Sequence, residues 1–217
     1  MNLLSSFNKI FIMGIGGSGM SSIAKYLKQK GHDVEGYDQR SSYITNLLES
    51  DGVKTCQNID NFRYQEDVLY VISSAINLED TFLENYTDSE NVISRPKFLE
   101  LLSEEVEILG ITGTHGKTST TALVSHIFHF NNKNASFIYG GVSGFGNLGG
   151  HFGEKTQPLI LETDEAFNTF KNINIKDLIV TNIDNDHLDF YGSYENLIDA
   201  FSYVIKNVKG VKVLNYD

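Results

Sequence analysis

The chain has 217 residues, 41% hydrophobic and 21% charged, which allows one large or two small domains with sizeable buried cores. Its formal charge of −11 opposes encounter with nucleic acid or an anionic membrane surface. A single cysteine, Cys56, excludes an internal disulfide and reads as a buried, inert thiol. No apolar run reaches the roughly 18–20 residues that span a bilayer, and residues 1–8 lack a cationic segment before an apolar core, so a cytoplasmic location is expected.

In chain order, strand-like runs at 9–13, 32–37 and 68–73 alternate with helix-like runs at 20–30 and 43–51. This alternation predicts a parallel sheet with helices on its faces. Residues 96–102 read as a short helix, and the acidic Ser103-Glu104-Glu105 as a hinge, giving domains over 1–103 and 104–217. A second alternation follows, with strands at 106–111, 135–139, 159–162, 178–182 and 211–214 and a helix at 120–130. The glycine-rich stretch 140–153 reads as a flexible loop. Because a parallel strand needs a following crossover to cover its sheet, the end at Asp217 reads as a truncation.

The most informative stretch is Gly113-Thr114-His115-Gly116-Lys117-Thr118-Ser119, which lies where a strand turns into a helix. Backbone N–H groups there can cradle a polyphosphate, Lys117 can neutralise it, and the Thr118 hydroxyl can ligate Mg²⁺. The generic P-loop pattern fails because Ile111 stands where it requires glycine. A first loop, Gly14-Ile15-Gly16-Gly17-Ser18-Gly19, also joins a strand to a helix, with Asp38 ending the next strand about twenty residues on. Taken alone it suggests NAD binding, with Asp38 on a ribose hydroxyl and the pyrophosphate at the helix N-terminus. Ser73 and Ser74 sit at the carboxyl end of a later strand, the edge where open α/β sheets bind ligands.

Two further strand ends carry chemistry. Leu161-Glu162-Thr163-Asp164-Glu165 delivers carboxylates beside the phosphate loop, as Mg²⁺ requires. Glu162 is the expected ligand, with Asp164 and Glu165 either supporting it or solvated. The run Thr181-Asn182-Ile183-Asp184-Asn185-Asp186-His187-Leu188-Asp189 places a histidine among acids. His32, His126, His129 and His151 lack such context and read as structural.

The strand end and loop from Ile111 to Thr118 resemble the ATP loop of the Mur ligase family, the peptidoglycan amino-acid ligases, with counterparts for His115 and Lys117. The stretch Gly14 to Ala24, including Met20 and Ser21, is similar to the family's N-terminal loop, which moves the first ligand from NAD to a UDP-sugar. Ser73-Ser74-Ala75-Ile76 and Thr181 to Asp189 match as well, whereas Asn77 to Thr81 departs from the family pattern. Ala166 and Phe167 replace its usual residues after Glu162, Asp164 and Glu165. Gly140, Gly141 and the glycines at 149–150 match a region that approaches the muramyl end of the substrate in the family.

The resemblance implies a Rossmann-like parallel-sheet domain followed by a truncated P-loop-type parallel α/β domain. It implies ATP and Mg²⁺ as cofactors, the metal held by Thr118, Glu162 and His187, with Lys117, Glu162 and His187 as the catalytic set. UDP-N-acetylmuramate and L-alanine are the implied substrates, joined through an acyl phosphate. The family's C-terminal domain has no counterpart here, so weak ligand binding and little or no ligase activity are expected of these residues alone. The alternatives are a murein peptide ligase and a non-catalytic nucleotide- or UDP-sugar-binding module.

Overall fold

Strand β1 (Lys9–Met13) is apolar on both faces, with Ile10 to Met13 all buried, the pattern of a strand covered by helices on both sides. It occupies the middle of a five-stranded sheet in the order β3-β2-β1-β4-β5, formed with β2 (Asp33–Tyr37), β3 (Lys54–Cys56), β4 (Val68–Ile72) and β5 (Val92–Ser94). All its pairings are parallel, Lys9 standing opposite both Asp33 and Val68. The structure is a computed structural model and describes residues 3–143, 147–186 and 188–216.

A short helix α1 (Leu3–Ser6) precedes β1, and α2 (Ser18–Lys30) follows it. Helix α2 ends where Gly31 takes a left-handed conformation and donates back to Lys28 O, the usual stop for an α-helix. Helix α3 (Tyr43–Ser50) starts from a reciprocal capping box between Ser42 and Thr45. One face of the sheet is closed by an aromatic cluster in which Phe11 meets Phe62, Tyr70 and Phe82. Cys56 is half-buried in β3, and burial pushes its thiol above the ordinary range.

The expected hinge at 103–105 is helical. Helix α4 (Arg95–Glu105) runs through it, and Phe98, Leu99 and Leu102, at i, i+1 and i+4, bury one side. Ser103 is itself buried, and its hydroxyl accepts the Asn174 N–H. The chain groups into two units, Met1–Leu102 with Gly140–Phe152, and Ser103–Tyr139 with Gly153–Asp217.

A six-stranded sheet has the order β11-β10-β6-β9-β7-β8, from β6 (Ile108–Thr112), β7 (Ser136–Val142), β8 (Leu148–His151), β9 (Leu159–Glu162), β10 (Ile175–Val180) and β11 (Lys212–Leu214). Helix α5 (Lys117–Phe130) follows β6. The stretch expected as a glycine loop is strand at 140–142 and 148–151, where Leu148 supplies a buried anchor, and its residues 144–146 lie outside the described set. Within the first unit, Phe152 sets its ring edge-on to Tyr26 at 5.6 Å and donates its N–H to Gln29 Oε1.

Helices α6 (Leu188–Tyr191) and α7 (Tyr194–Asn207) lie between β10 and β11. In α7, Leu197, Ala200, Phe201 and Val204 recur at i, i+3, i+4 and i+7 and are buried, an amphipathic period that the strand pattern had overshadowed. Phe201 meets Phe170 edge-on at 5.1 Å, both fully buried, so truncating either would cost about 3–5 kcal/mol. Among the described residues no helix is long and apolar enough to cross a membrane.

Candidate functional site

Strand β6 lies between β9 and β10, and the register aligns their ends, pairing Ile111 with Glu162 and Thr112 with Val180. Whatever follows these strands emerges side by side at the carboxyl edge of the sheet, where open α/β sheets bind ligands. Those continuations are Gly113 to Ser119, Thr163 to Glu165, and Thr181 to Asp184.

The loop after β6 is held by the loop after β10. Gly113 has φ +134°, and a Cβ there would collide with Thr181 Oγ1 and lie 2.8 Å from Asn182 O, so only glycine fits. The peptide of His115 is gripped on both sides: its N–H donates to Asn182 Oδ1 at 2.9 Å, and its carbonyl accepts from Asn182 Nδ2 at 3.0 Å and Thr181 Oγ1 at 2.6 Å. Thr114 donates its N–H to Asn182 O, and its hydroxyl accepts the Asp184 N–H at 2.9 Å. The His115 ring, 3.9 Å from Asp184 with both side chains exposed, adds little. Of the expected phosphate donors, the Thr114 and His115 amides are thus already engaged. Helix α5 opens at Gly116 with no side-chain cap, so the amides of Lys117, Thr118 and Ser119 have no acceptor within the helix and suit an anion.

Lys117 Nζ lies 2.9 Å from both Glu165 oxygens, 2.8 Å from Gly113 O and 3.2 Å from Thr114 O. The Glu165 side chain is 1% exposed. Burial pushes its carboxyl above the ordinary range, while the hydrogen bonds and charge of Lys117 pull the other way. Sequence reasoning had left Glu165 between a supporting and a solvated role, because an acid run at a strand end does not reveal which acid turns inward. Asp164 serves the backbone: its carboxylate accepts the Ala166 N–H, and its carbonyl accepts from Thr169 and Phe170 in the 3₁₀ turn Ala166–Asn172. The Phe167 side chain lies outside the described set.

Thr118 Oγ1 donates to Glu162 Oε1 at 2.8 Å. Two expected metal ligands are therefore neighbours, offering the hard oxygen donors that Mg²⁺ takes. Among the described residues no group of three or more histidine, cysteine, aspartate or glutamate side chains could hold a metal. Mg²⁺ commonly completes its shell from substrate phosphates and water, which two protein oxygens permit. His187, the third expected ligand, lies outside the described residues.

In the first unit, β1 lies between β2 and β4, again a switch point in strand order. Most amides of its glycine loop are used internally. Gly14 and Ile15 donate to Tyr37 O, Gly16 to Asp38 Oδ2 at 2.9 Å, and Gly17 to Gly14 O. Asp38, expected at a ligand hydroxyl, braces the loop and also accepts the Arg40 N–H. Helix α2 has no side-chain cap at Gly17, leaving the amides of Ser18, Gly19 and Met20 at its open end. The side chains of Met20 and Ser21 are buried, and the Ser21 hydroxyl donates to Ser18 O. Ser73 lies against Gly14, with its N–H on Met13 O, and Ser74 is exposed. Arg95, which sequence reasoning missed, places its guanidinium 3.1 Å from where a Gly19 Cβ would be, and its buried Nε has no hydrogen-bond partner among the described residues. Its position just after β5, at the same sheet edge, was the available signal.

Two family models cover nearly all of the chain: Mur ligase family, catalytic domain, over residues 9–107, and Mur ligase middle domain, over 111–217. A UDP-N-acetylmuramate–L-alanine ligase of Hydrogenobaculum sp. is 36% identical over 97% of this chain and 47% of its own length. One of Cytophaga hutchinsonii is 30% identical over 95% of this chain and 46% of its own. The crystal structure of the UDP-N-acetylmuramate–alanine ligase of Thermotoga maritima superposes with a TM-score of 0.80 at 29% identity, covering 96% of this chain and 49% of that one. The chain spans about half the length of these relatives. A glycine loop at each sheet's switch point, a lysine and a threonine–glutamate pair at the second, and agreement with both family models lead to one assignment: the chain belongs to the Mur ligase family.

Proposed function

We propose that this chain provides the sugar-nucleotide and ATP sites of a cytoplasmic ligase that joins L-alanine to the lactyl carboxylate of UDP-N-acetylmuramate, a step in peptidoglycan precursor synthesis. The observation that carries the reading is the pairing of Thr118 with Glu162 beside Lys117 at the open end of α5. The similarity to named L-alanine ligases over 95–97% of the chain supports the choice of substrates.

In this reading a carboxylate oxygen of UDP-N-acetylmuramate attacks the γ-phosphorus of ATP, and the bond to the β-bridging oxygen breaks, giving an acyl phosphate and ADP. The L-alanine amine then attacks the acyl carbon, releases phosphate and loses a proton as the amide forms. The chain's own part is positioning and electrostatics. First-turn amides of α5 orient the polyphosphate, Lys117 offsets its charge, and Asn182 keeps the loop in shape. Thr118 and Glu162 would hold Mg²⁺, which supplies charge stabilisation at the transferring phosphate. In the first unit, the amides of Ser18, Gly19 and Met20, with Arg95 beside them, would receive the UDP diphosphate, while Asp38 braces the loop behind.

Calorimetric titration of the chain with MgATP, UDP-N-acetylmuramate and NADH tests this. Saturable binding of the first two and none of NADH is expected. Binding of NADH without UDP-N-acetylmuramate would replace the reading with a dinucleotide site.

A further inference from the structure

An ammonium group has three protons to donate, and those of Lys117 already face four acceptors: both oxygens of Glu165 and the carbonyls of Gly113 and Thr114. The Glu165 carboxylate is buried, and Tyr191, itself buried on α6, donates its hydroxyl to the Glu165 carbonyl at 2.5 Å. The pair is therefore fixed from the Glu165 side, while the partly accessible Lys117 stem is the element free to turn toward the helix end. A phosphate arriving at the first-turn amides of α5 competes with this carboxylate for the same ammonium.

We propose that Glu165 is the counter-anion that a nucleotide polyphosphate displaces from Lys117, a positioning residue that sets how tightly the loop takes phosphate. The proposal rests on the reading of this loop as a nucleotide-triphosphate site. Two consequences follow from charge alone. Neutralising Glu165 without changing its shape frees Lys117 and removes a negative charge from beside the bound phosphates. The benefit scales with phosphates near Lys117, so it is large for ATP and ADP and absent for AMP.

The test is Glu165→Gln in this same chain, with dissociation constants for MgATP, MgADP and AMP measured by calorimetry after circular dichroism has verified folding. MgATP and MgADP should bind about tenfold more tightly than to wild type, with AMP unchanged. Unchanged or weaker MgATP binding by the folded variant overturns the proposal, as does an equal shift for all three nucleotides, the mark of a merely structural role. Should the variant not fold, the wild type gives the answer through the ¹³C resonance of the Glu165 carboxyl. Addition of a non-hydrolysable MgATP analogue should shift it as Lys117 leaves, and an unmoved resonance at saturation overturns the proposal. Failure of the underlying reading is visible separately: if wild type and Lys117→Met bind MgATP alike, or wild type does not bind it, the loop is not the nucleotide site and the proposal falls with it.

Discussion

The two glycine loops share a position, between a central strand and its helix, yet differ in what remains available to a ligand. In the first, four consecutive amides from Gly14 to Gly17 are engaged internally, and Asp38 braces the turn from behind. In the second, Lys117, Thr118 and Glu162 gather at the open helix end, and the loop is gripped from outside by Thr181 and Asn182. The first arrangement suits an anion that stays as it is, held by the open-end amides of α2 with Arg95 beside them. The second suits phosphate whose charge is redistributed during reaction, because it brings a cation and hard oxygen donors to the same point.

This contrast can be broken most forcefully at Lys117. Replacing it with methionine leaves Glu165 buried without its ammonium, so denaturant unfolding should reveal a loss of about 3–5 kcal/mol. MgATP affinity should fall by about a hundredfold or more, since about 3 kcal/mol of charge-assisted bonding is lost. UDP-N-acetylmuramate affinity should stay at the wild-type value, and a parallel fall in both would erase the distinction between the loops. Next in size are the glycines. Gly113→Ala forces an unfavourable backbone angle against Thr181 and should cost about 3 kcal/mol in stability as well as MgATP binding. Gly16→Ala brings a Cβ only to 2.8 Å from the Asp38 carboxylate, which can shift, so it should weaken UDP-N-acetylmuramate binding and spare MgATP.

Asn182→Ala removes both side-chain hydrogen bonds to the His115 peptide and should cost about 1–2 kcal/mol, with a roughly tenfold weaker MgATP constant by calorimetry. The smallest effect is in pH. Because burial raises the folded-state pKa of Glu165, the native state holds that proton more tightly than the unfolded chain. The associated stability is present below the ordinary value of 4.5 and is lost as pH rises through the raised one. Urea midpoints of wild type should therefore decline relative to Glu165→Gln as pH increases from 4, and parallel curves would contradict this.

Much of this contrast was legible in the residues. The strand at 9–13 and both glycine loops have local signatures, an apolar run followed by a glycine turn, and the strand at 159–162 is an apolar run tipped by Glu162. What stayed hidden depends on distant partners. Asn182 reads as one more polar residue after a strand until its amide is seen matching the His115 peptide. The inward turn of Glu165 onto Lys117, with Tyr191 on its main-chain carbonyl, depends on distant partners that no spacing encodes. The 103–105 segment is helical, which its acidic residues did not reveal, while the division between the two units falls between Leu102 and Ser103.

The grip of Thr181, Asn182 and Asp184 on the loop after β6 also bears on the order in which the protein matures. Gly16 meets Asp38 across 22 residues, so the first loop can take shape early, once β2 has left the ribosome. The second is closed by contacts 66 to 70 residues apart in sequence. Such non-local closure comes late, because loop entropy must be overcome before the bonds reward it. The second glycine loop thus remains unset until β10 has docked beside β6, and slow pairing of those two strands would delay its closure while leaving the first glycine loop already formed.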